Sequence, residues 1–179
     1  MEYAIDGILV VTLGVVIYQD FRYRAVSWIV FPVLFVIAIF VALGKVETIE
    51  LLESSLINLG MLTLMFAGLT IYFSLRKRVL VNIINKQIGI ADLLLLTVIC
   101  LLFSPVNFIM YYVASLIVIT IGSAVYLMYK KDIKAEIPLA GAFSILLIAC
   151  LLYAGITGNI NFHDDGLVME LLTPFLLTT

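Results

Sequence analysis

The sequence of 179 residues contains little charge, histidine, proline or cysteine. Charged residues make up 12% of the chain, whereas soluble globular domains carry about 25%. The two cysteines, Cys100 and Cys150, lie within apolar runs and form no CxxC pair, which argues against a zinc or redox module. His163 is the single histidine, and its neighbours Asp164 and Asp165 do not give it the ligand spacing of a metal site. The composition therefore excludes an ordinary soluble domain.

Apolar residues are abundant instead. They make up 64% of the chain, and the mean hydropathy is +1.23. A membrane-spanning helix needs about 20 apolar residues, so the chain has room for about six such helices with short connections. This arithmetic leaves no space for an appended soluble catalytic domain, a nucleotide-binding fold or a large extramembrane receptor.

Hydropathy along the chain predicts an all-α integral membrane protein with six transmembrane helices. The six apolar segments are 3–19, 26–43, 55–75, 88–103, 107–129 and 137–156. They form one predicted membrane domain over 1–156, followed by a short non-cytoplasmic or interfacial tail over 157–179. Residues 79–88 have the spacing of an amphipathic helix lying in the membrane interface.

The basic residues are distributed unevenly between the predicted loops. Nine of the ten fall after the first, third and fifth segments: Arg22, Arg24, Arg76, Lys77, Arg78, Lys86, Lys130, Lys131 and Lys134. By the positive-inside rule these loops face the cytoplasm. Both termini are therefore predicted to be non-cytoplasmic, in a multi-pass protein of the plasma (inner) membrane.

Three acidic residues, Asp6, Asp20 and Asp92, lie at predicted membrane depth, where ionisable groups are costly and are functional hypotheses by default. The first segment ends at Asp20 and the fourth begins around Asp92, so these two carboxylates are expected at the same cytoplasmic depth. Two close carboxylates in a poor dielectric share one proton, and such a pair can activate water and polarise a carbonyl. The alternatives are solvated helix ends, ion pairing with nearby basic residues, or an ion pathway.

The sequence around these two residues resembles the type IV prepilin peptidase family of GxGD-type membrane aspartyl proteases. The residues that fit the first family motif are Asp20, Arg22, Arg24 and Val26. The second motif is matched by Gly89 and Asp92, with Ala91 in place of the second glycine. A weaker likeness lies at 137–143, where the chain reads Ile-Pro-Leu-Ala-Gly-Ala-Phe. The resemblance covers about residues 4–156 and is to the short form that lacks the N-terminal methyltransferase region.

The resemblance implies an aspartic endopeptidase in which Asp20 and Asp92 form the catalytic dyad, with Gly89, Ala91, Arg22 and Arg24 as supporting motif residues. The implied substrates are type IV prepilin-like membrane proteins of pilus or secretion systems, whose leader is cleaved at the cytoplasmic face. No metal or organic cofactor is expected, and the partners are these substrates and the lipid bilayer, without nucleic acid. Alanine at 91 is harmless if that residue is helical, but costs about 1 kcal/mol in a left-handed conformation.

Two other functions stay open at this point. One is a non-proteolytic relative of the same family that serves as a membrane assembly or transport subunit. The other is a small transporter with a proton path through Asp6, Asp20 and Asp92. In the transporter Asp6 would matter as much as the other two acids, whereas in the peptidase it would be nearly silent.

Overall fold

A computed structural model describes residues 2–77, 89–130, 138–157 and 161–165. All regular structure in these residues is helical, which confirms the all-α prediction. The helices are α1 (Glu2–Tyr23), α2 (Val30–Leu43), α3 (Thr48–Lys77), α4 (Ile90–Ile99), α5 (Pro105–Lys130) and α6 (Leu139–Thr157). The predicted interfacial helix at 79–88 and the apolar tail beyond 165 lie outside the described residues.

Four of the helices are long and apolar enough to cross a membrane: α1, α3, α5 and α6. The other two, α2 and α4, are apolar but have only 14 and 10 residues. Large apolar side chains cover the outside of the bundle, as Leu64 on α3 and Met128 on α5 show with exposed fractions of 74% and 80%. An apolar surface of this extent is typical of a membrane protein and not of a soluble monomer.

Contacts between the helix ends show that successive helices run in alternating directions. The C-terminal end of α1 meets the N-terminal ends of α4 and α6 around Asp20, and we call this the Asp20 end of the bundle. The opposite end, which we call the His163 end, joins the start of α5 to residues 161–165. Helix α1 packs mainly against α6 and α2, and α4 packs against α2 and α6.

The short helix α4 supplies much of the core. Its side chains Leu95, Val98 and Ile99 are almost fully buried. The sequence predicted a helix over 88–103, but α4 ends at Ile99 and the chain continues in turns. The buried side-chain amide of Asn58 on α3 explains how this ending is stabilised, because its Nδ2 donates to the carbonyls of Cys100 at 3.0 Å and Phe103 at 2.8 Å. Carbonyls at a helix end lack intrahelical partners, and within a bundle another polar group must satisfy them.

The His163 end is closed by a short stretch that follows α6. The Asn107 side-chain amide donates to the carbonyls of Phe162 and Asp164, at 2.9 and 3.0 Å. The Phe162 ring lies 5.0 Å from that of Phe103. Burial, with a smaller contribution from the nearby positive charge of Lys45, lowers the pKa of His163 to about 4. This imidazole is therefore neutral at pH 7 and packs as part of the closure.

Candidate active site

Helix α1 carries Asp20 to one end of the bundle and then stops abruptly. Arg24 has a φ of 54°, and its peptide N–H donates to the Asp20 carbonyl at 3.1 Å, which closes the last turn of α1. Helices often end in such a left-handed residue, although glycine is the usual choice. The segment between α1 and α2 is held to α1 by the side-chain oxygen of Gln19, which accepts a hydrogen bond from the Ser27 peptide N–H at 2.7 Å. The Asp20 side chain itself is only 7% exposed.

The buried Asp20 carboxylate meets the N-terminal end of α6. Its Oδ2 accepts a hydrogen bond of 2.6 Å from the peptide N–H of Gly141. The first N–H groups of a helix have no intrahelical acceptor, and the helix dipole favours negative charge at this end. The contact therefore gives a hydrogen-bond donor to a carboxylate oxygen that is otherwise removed from water.

Residue 141 has to be small for this contact to form. A Cβ atom at Gly141 would lie 2.7 Å from two ring carbons of Phe21 and 3.2 Å from Asp20 Oδ2. The first distance is shorter than a carbon–carbon contact allows, so a larger residue would push the ring of Phe21 away. Gly141 thus lets α6 and the end of α1 approach closely enough for the hydrogen bond to Asp20.

The second predicted carboxylate, Asp92, lies beside the first. It occupies the first turn of α4, where its Oδ2 accepts from the Gly89 peptide N–H at 3.1 Å and so caps the helix. The Asp92 carboxylate also interacts with the peptide N–H of Ala140 and with the charge of Asp20. Three chain segments that are distant in sequence therefore meet here, and both carboxylates face successive peptide groups of α6, those of Ala140 and Gly141.

The alanine that replaces the second glycine of the motif causes no strain. Ala91 lies within α4, and Arg24 is the only non-glycine residue with positive φ in the described part of the chain. Gly89 has φ −69° and ψ 146°, an extended conformation that any residue can adopt. Because residue 91 is helical, alanine is harmless at this position, and it favours a helix more than glycine does.

The remaining predicted residues lie farther from the carboxylates. Arg22 and Arg24 are exposed at the end of α1. Asp6 lies at the opposite end of the same helix, where it lines a small cavity of about 40 Å³ together with Lys45. Asp6 and Asp20 are separated by about 21 Å at 1.5 Å per residue. The structure therefore brings Asp20 and Asp92 together and leaves Asp6 apart.

Two groups at this site were undervalued by the sequence interpretation, the peptide groups of α6 and the hydroxyl of Ser144. The 137–143 stretch was noted only as a weak likeness, although it supplies Ala140 and Gly141. Ser144 lies one turn farther along α6, is fully buried, and its Oγ has no hydrogen-bond partner within the described residues. No metal-binding group of three or more His, Cys, Asp or Glu side chains is present in the same part of the chain.

The comparisons with known proteins give no match. No protein-family model matches the chain, and no curated protein and no solved structure matches it either.

Proposed function

We propose that this protein is a membrane aspartyl endopeptidase that uses Asp20 and Asp92 as its catalytic pair. The observation that carries the proposal is the approach of two carboxylates from different helices at the N-terminal end of α6, where Asp20 Oδ2 accepts from the Gly141 peptide N–H and Asp92 interacts electrostatically with Asp20. The two residues are 72 positions apart in sequence (20 and 92), and one of them is buried within a bundle of apolar helices. Burying a carboxylate is costly, and such groups gather at functional sites.

The two carboxylates would divide the work of peptide hydrolysis. Asp20 Oδ2 acts as a hydrogen-bond acceptor for the Gly141 peptide N–H, so we assign Asp20 the role of general base that takes a proton from water. Asp92 then holds the shared proton and donates it to the oxygen of the scissile carbonyl. The hydroxide equivalent adds to the carbonyl carbon and gives a tetrahedral gem-diol. Asp20 then passes the proton taken from water to the amine nitrogen, the C–N bond breaks, and one hydroxyl of the gem-diol returns a proton to Asp92 as the carboxylic acid forms.

The proposed substrates are type IV prepilin-like proteins, which the sequence motifs imply. Such a substrate has a short leader followed by an apolar helix that stays in the membrane. The basic loops after α1 and α3 support a cytoplasmic position of the Asp20 end by the positive-inside rule. Cleavage at this face, where the leader leaves the membrane, is the reaction that we propose.

Co-expression with tagged prepilin-like substrates tests the proposal, with cleavage followed as a mobility shift. Asp20→Asn and Asp92→Asn each remove one ionisable group with little change in size. We expect each variant to lose cleavage by at least about 100-fold, the lower range of general acid–base contributions. Asp6→Asn is the matched control because it alters the same helix at its other end, and we expect it to cleave within about twofold of the wild type.

Folding has to be followed in the same samples, because Asp20 and Asp92 also hold helices together. Thermal unfolding in detergent would show whether a variant that does not cleave is still folded. Wild-type cleavage rates in a folded Asp20→Asn or Asp92→Asn variant would contradict the proposal. Equal losses in all three variants would favour a proton path that includes Asp6.

One observation favours a non-proteolytic subunit as a second candidate. Both carboxylates already have structural hydrogen bonds, since Asp20 joins α1 to α6 and Asp92 caps α4. In a membrane assembly subunit these contacts would be the whole role of the two residues. The wild-type protein would then cleave no leader peptide, and both variants would lower the unfolding temperature without any loss of an activity.

A further inference from the structure

A groove runs between α5 and α6 next to the Asp20 site. Its cavity volume is about 370 Å³, which lies in the range of small-molecule pockets. Its walls come from residues 118–126 of α5 and from Pro138 with residues 142–146 of α6, and Phe21 of α1 and Arg24, which follows α1, close it. Gly122 lines the α5 side, and a Cβ atom there would meet nothing within 4 Å. The groove is therefore open space between two helices that are long enough to span a membrane.

The charge in the described lining of this groove lies at one place. Among the described residues that line it, Arg24 is the only charged one, and most of the others are aliphatic or aromatic. The positive φ of Arg24 costs about 1–2 kcal/mol for a residue with a side chain. Backbone strain of this kind is characteristic of binding and functional sites.

The position of the groove in the bundle indicates what could occupy it. The neighbouring residues on α5, Ile117, Ile121 and Val125, are exposed and apolar, as expected for a surface that faces acyl chains. Arg24 lies where α1 ends, in the first of the basic loops, and so at the level of the lipid headgroups. An occupant would need an apolar chain at membrane depth and an anionic group at the interface.

We propose that this groove binds an anionic phospholipid, with its phosphate at the Arg24 guanidinium and an acyl chain between α5 and α6. A guanidinium pairs well with phosphate because its N–H groups can donate two parallel hydrogen bonds. A substrate helix fits less well: the groove extends only about 12 Å along α5, whereas a spanning helix crosses about 30 Å, and an apolar helix would leave the arginine without a counter-charge. The inference does not depend on peptidase activity.

Native mass spectrometry of the purified full-length chain tests the headgroup contact. The protein is titrated in detergent with phosphatidylglycerol and with phosphatidylcholine of the same acyl chains. We expect a preference of about five- to tenfold for phosphatidylglycerol, as one basic residue near a membrane contributes about 1 kcal/mol. Arg24→Asn should abolish the preference, and asparagine accepts the left-handed backbone conformation. Arg22→Asn is the matched control, because it removes a charge from the same turn but does not line the groove.

Filling the groove tests the acyl-chain contact. Gly122→Leu should lower the retention of both lipids by at least about fivefold if the chain occupies this space. Gly68→Leu on α3 is the control, because its Cβ also meets nothing within 4 Å and it lies outside the groove. Glycerol phosphate at millimolar concentration should not displace the lipid, whereas displacement would indicate a site for soluble phosphate.

Three results would overturn the proposal. The first is equal retention of the two lipids by the wild type, and the second is an equal loss of the preference in Arg22→Asn and Arg24→Asn. The third is the binding of an apolar helix, and not of a lipid, in the groove. In that case Gly122→Leu would reduce photo-crosslinking to a hydrophobic helical peptide and leave lipid retention unchanged.

Discussion

The two ends of the bundle are built in different ways, although both contain buried polar groups. At the His163 end, neutral side-chain amides satisfy backbone carbonyls: Asn58 bonds to Cys100 and Phe103, and Asn107 bonds to Phe162 and Asp164. At the Asp20 end the polarity is reversed, and carboxylates accept from backbone N–H groups. Neutral amides close a structure at low electrostatic cost, whereas two adjacent carboxylates repel each other. Amides therefore hold the His163 end together, whereas the Asp20 end brings two ionisable groups close to each other, as a functional site would.

The two ends of the bundle are also separated by apolar residues along one face of α1. Asp6, Leu9, Leu13, Val16 and Asp20 follow one another at spacings of three and four residues, so they share one side of the helix. The three apolar members are fully buried. A proton passing from Asp6 to Asp20 would find no polar group on this face, which argues against the transporter interpretation.

The largest expected effect comes from breaking the His163 end at Asn58. Asn58→Ala leaves two buried carbonyls without donors, and we expect a loss of about 2–4 kcal/mol in the free energy of unfolding. Thr63→Ala on the same helix is the control, because the Thr63 hydroxyl bonds only within α3 and the residue is exposed. Reversible unfolding in detergent measures both. The fraction of Asn58→Ala that is still folded should show the proposed cleavage at the wild-type rate. A loss of rate larger than the unfolded fraction accounts for would contradict the separate roles of the two ends.

An intermediate effect is expected from the two glycines of α6. Gly141→Ala forces Phe21 and Asp20 to shift, and we expect a cost of about 1–3 kcal/mol together with reduced cleavage. Gly155→Ala should instead stabilise the helix by about 0.5–1 kcal/mol, since nothing lies within 4 Å of its Cβ position. Unfolding temperature and cleavage rate are measured side by side. Changes of the same sign in both variants would show that residue 141 has no special role.

The smallest effect should come from acidification at the His163 end. The pKa of His163 is about 4 in the folded protein and about 6.5 in an unfolded chain. The unfolded chain therefore binds more protons between these values, so stability is greatest above pH 6.5 and falls toward pH 4.

The corresponding measurement compares wild type with His163→Gln at pH 7.5 and pH 5.8, a range over which these two pKa values predict a loss of about 1 kcal/mol. The wild type should lose about 2–4 °C more in unfolding temperature than the variant, which corresponds to about 1 kcal/mol for a chain of this size. An identical pH response of the two proteins would show that His163 is protonated without cost.

Hydropathy identified most of the fold, because an apolar segment of sufficient length has few alternatives to a helix. The pattern was less informative for α4, where an apolar run over 88–103 continues past the point at which the helix ends. Periodicity cannot reveal that ending, because it depends on Asn58, a residue more than 40 positions away. Likewise, α2 begins at Val30, whereas hydropathy placed its start at residue 26.

The two carboxylates of the site could be predicted from the sequence, but the contribution of α6 could not. Asp20 and Asp92 stand out because acids are rare in apolar segments, and alternating helix directions require them to lie at one end. The contribution of α6 could not be derived in this way, since backbone N–H groups have no signature in a sequence. Gly141 was visible only as a glycine within a weak likeness, and its need to be small follows from the position of Phe21.

The unequal lengths of the helices have a consequence for the surrounding bilayer. Helix α2 has 14 residues and α3 has 30, which correspond to about 21 and 45 Å at 1.5 Å per residue. The hydrocarbon core is about 30 Å thick, so the two helices mismatch it in opposite directions. Val33, Val36 and Phe40 are exposed on α2, so lipids in contact with them would have to compress if α2 crosses the bilayer as the sequence predicts. The protein would then thin the membrane on its α2 side, and bilayers of different thickness would differ in how well they accommodate it.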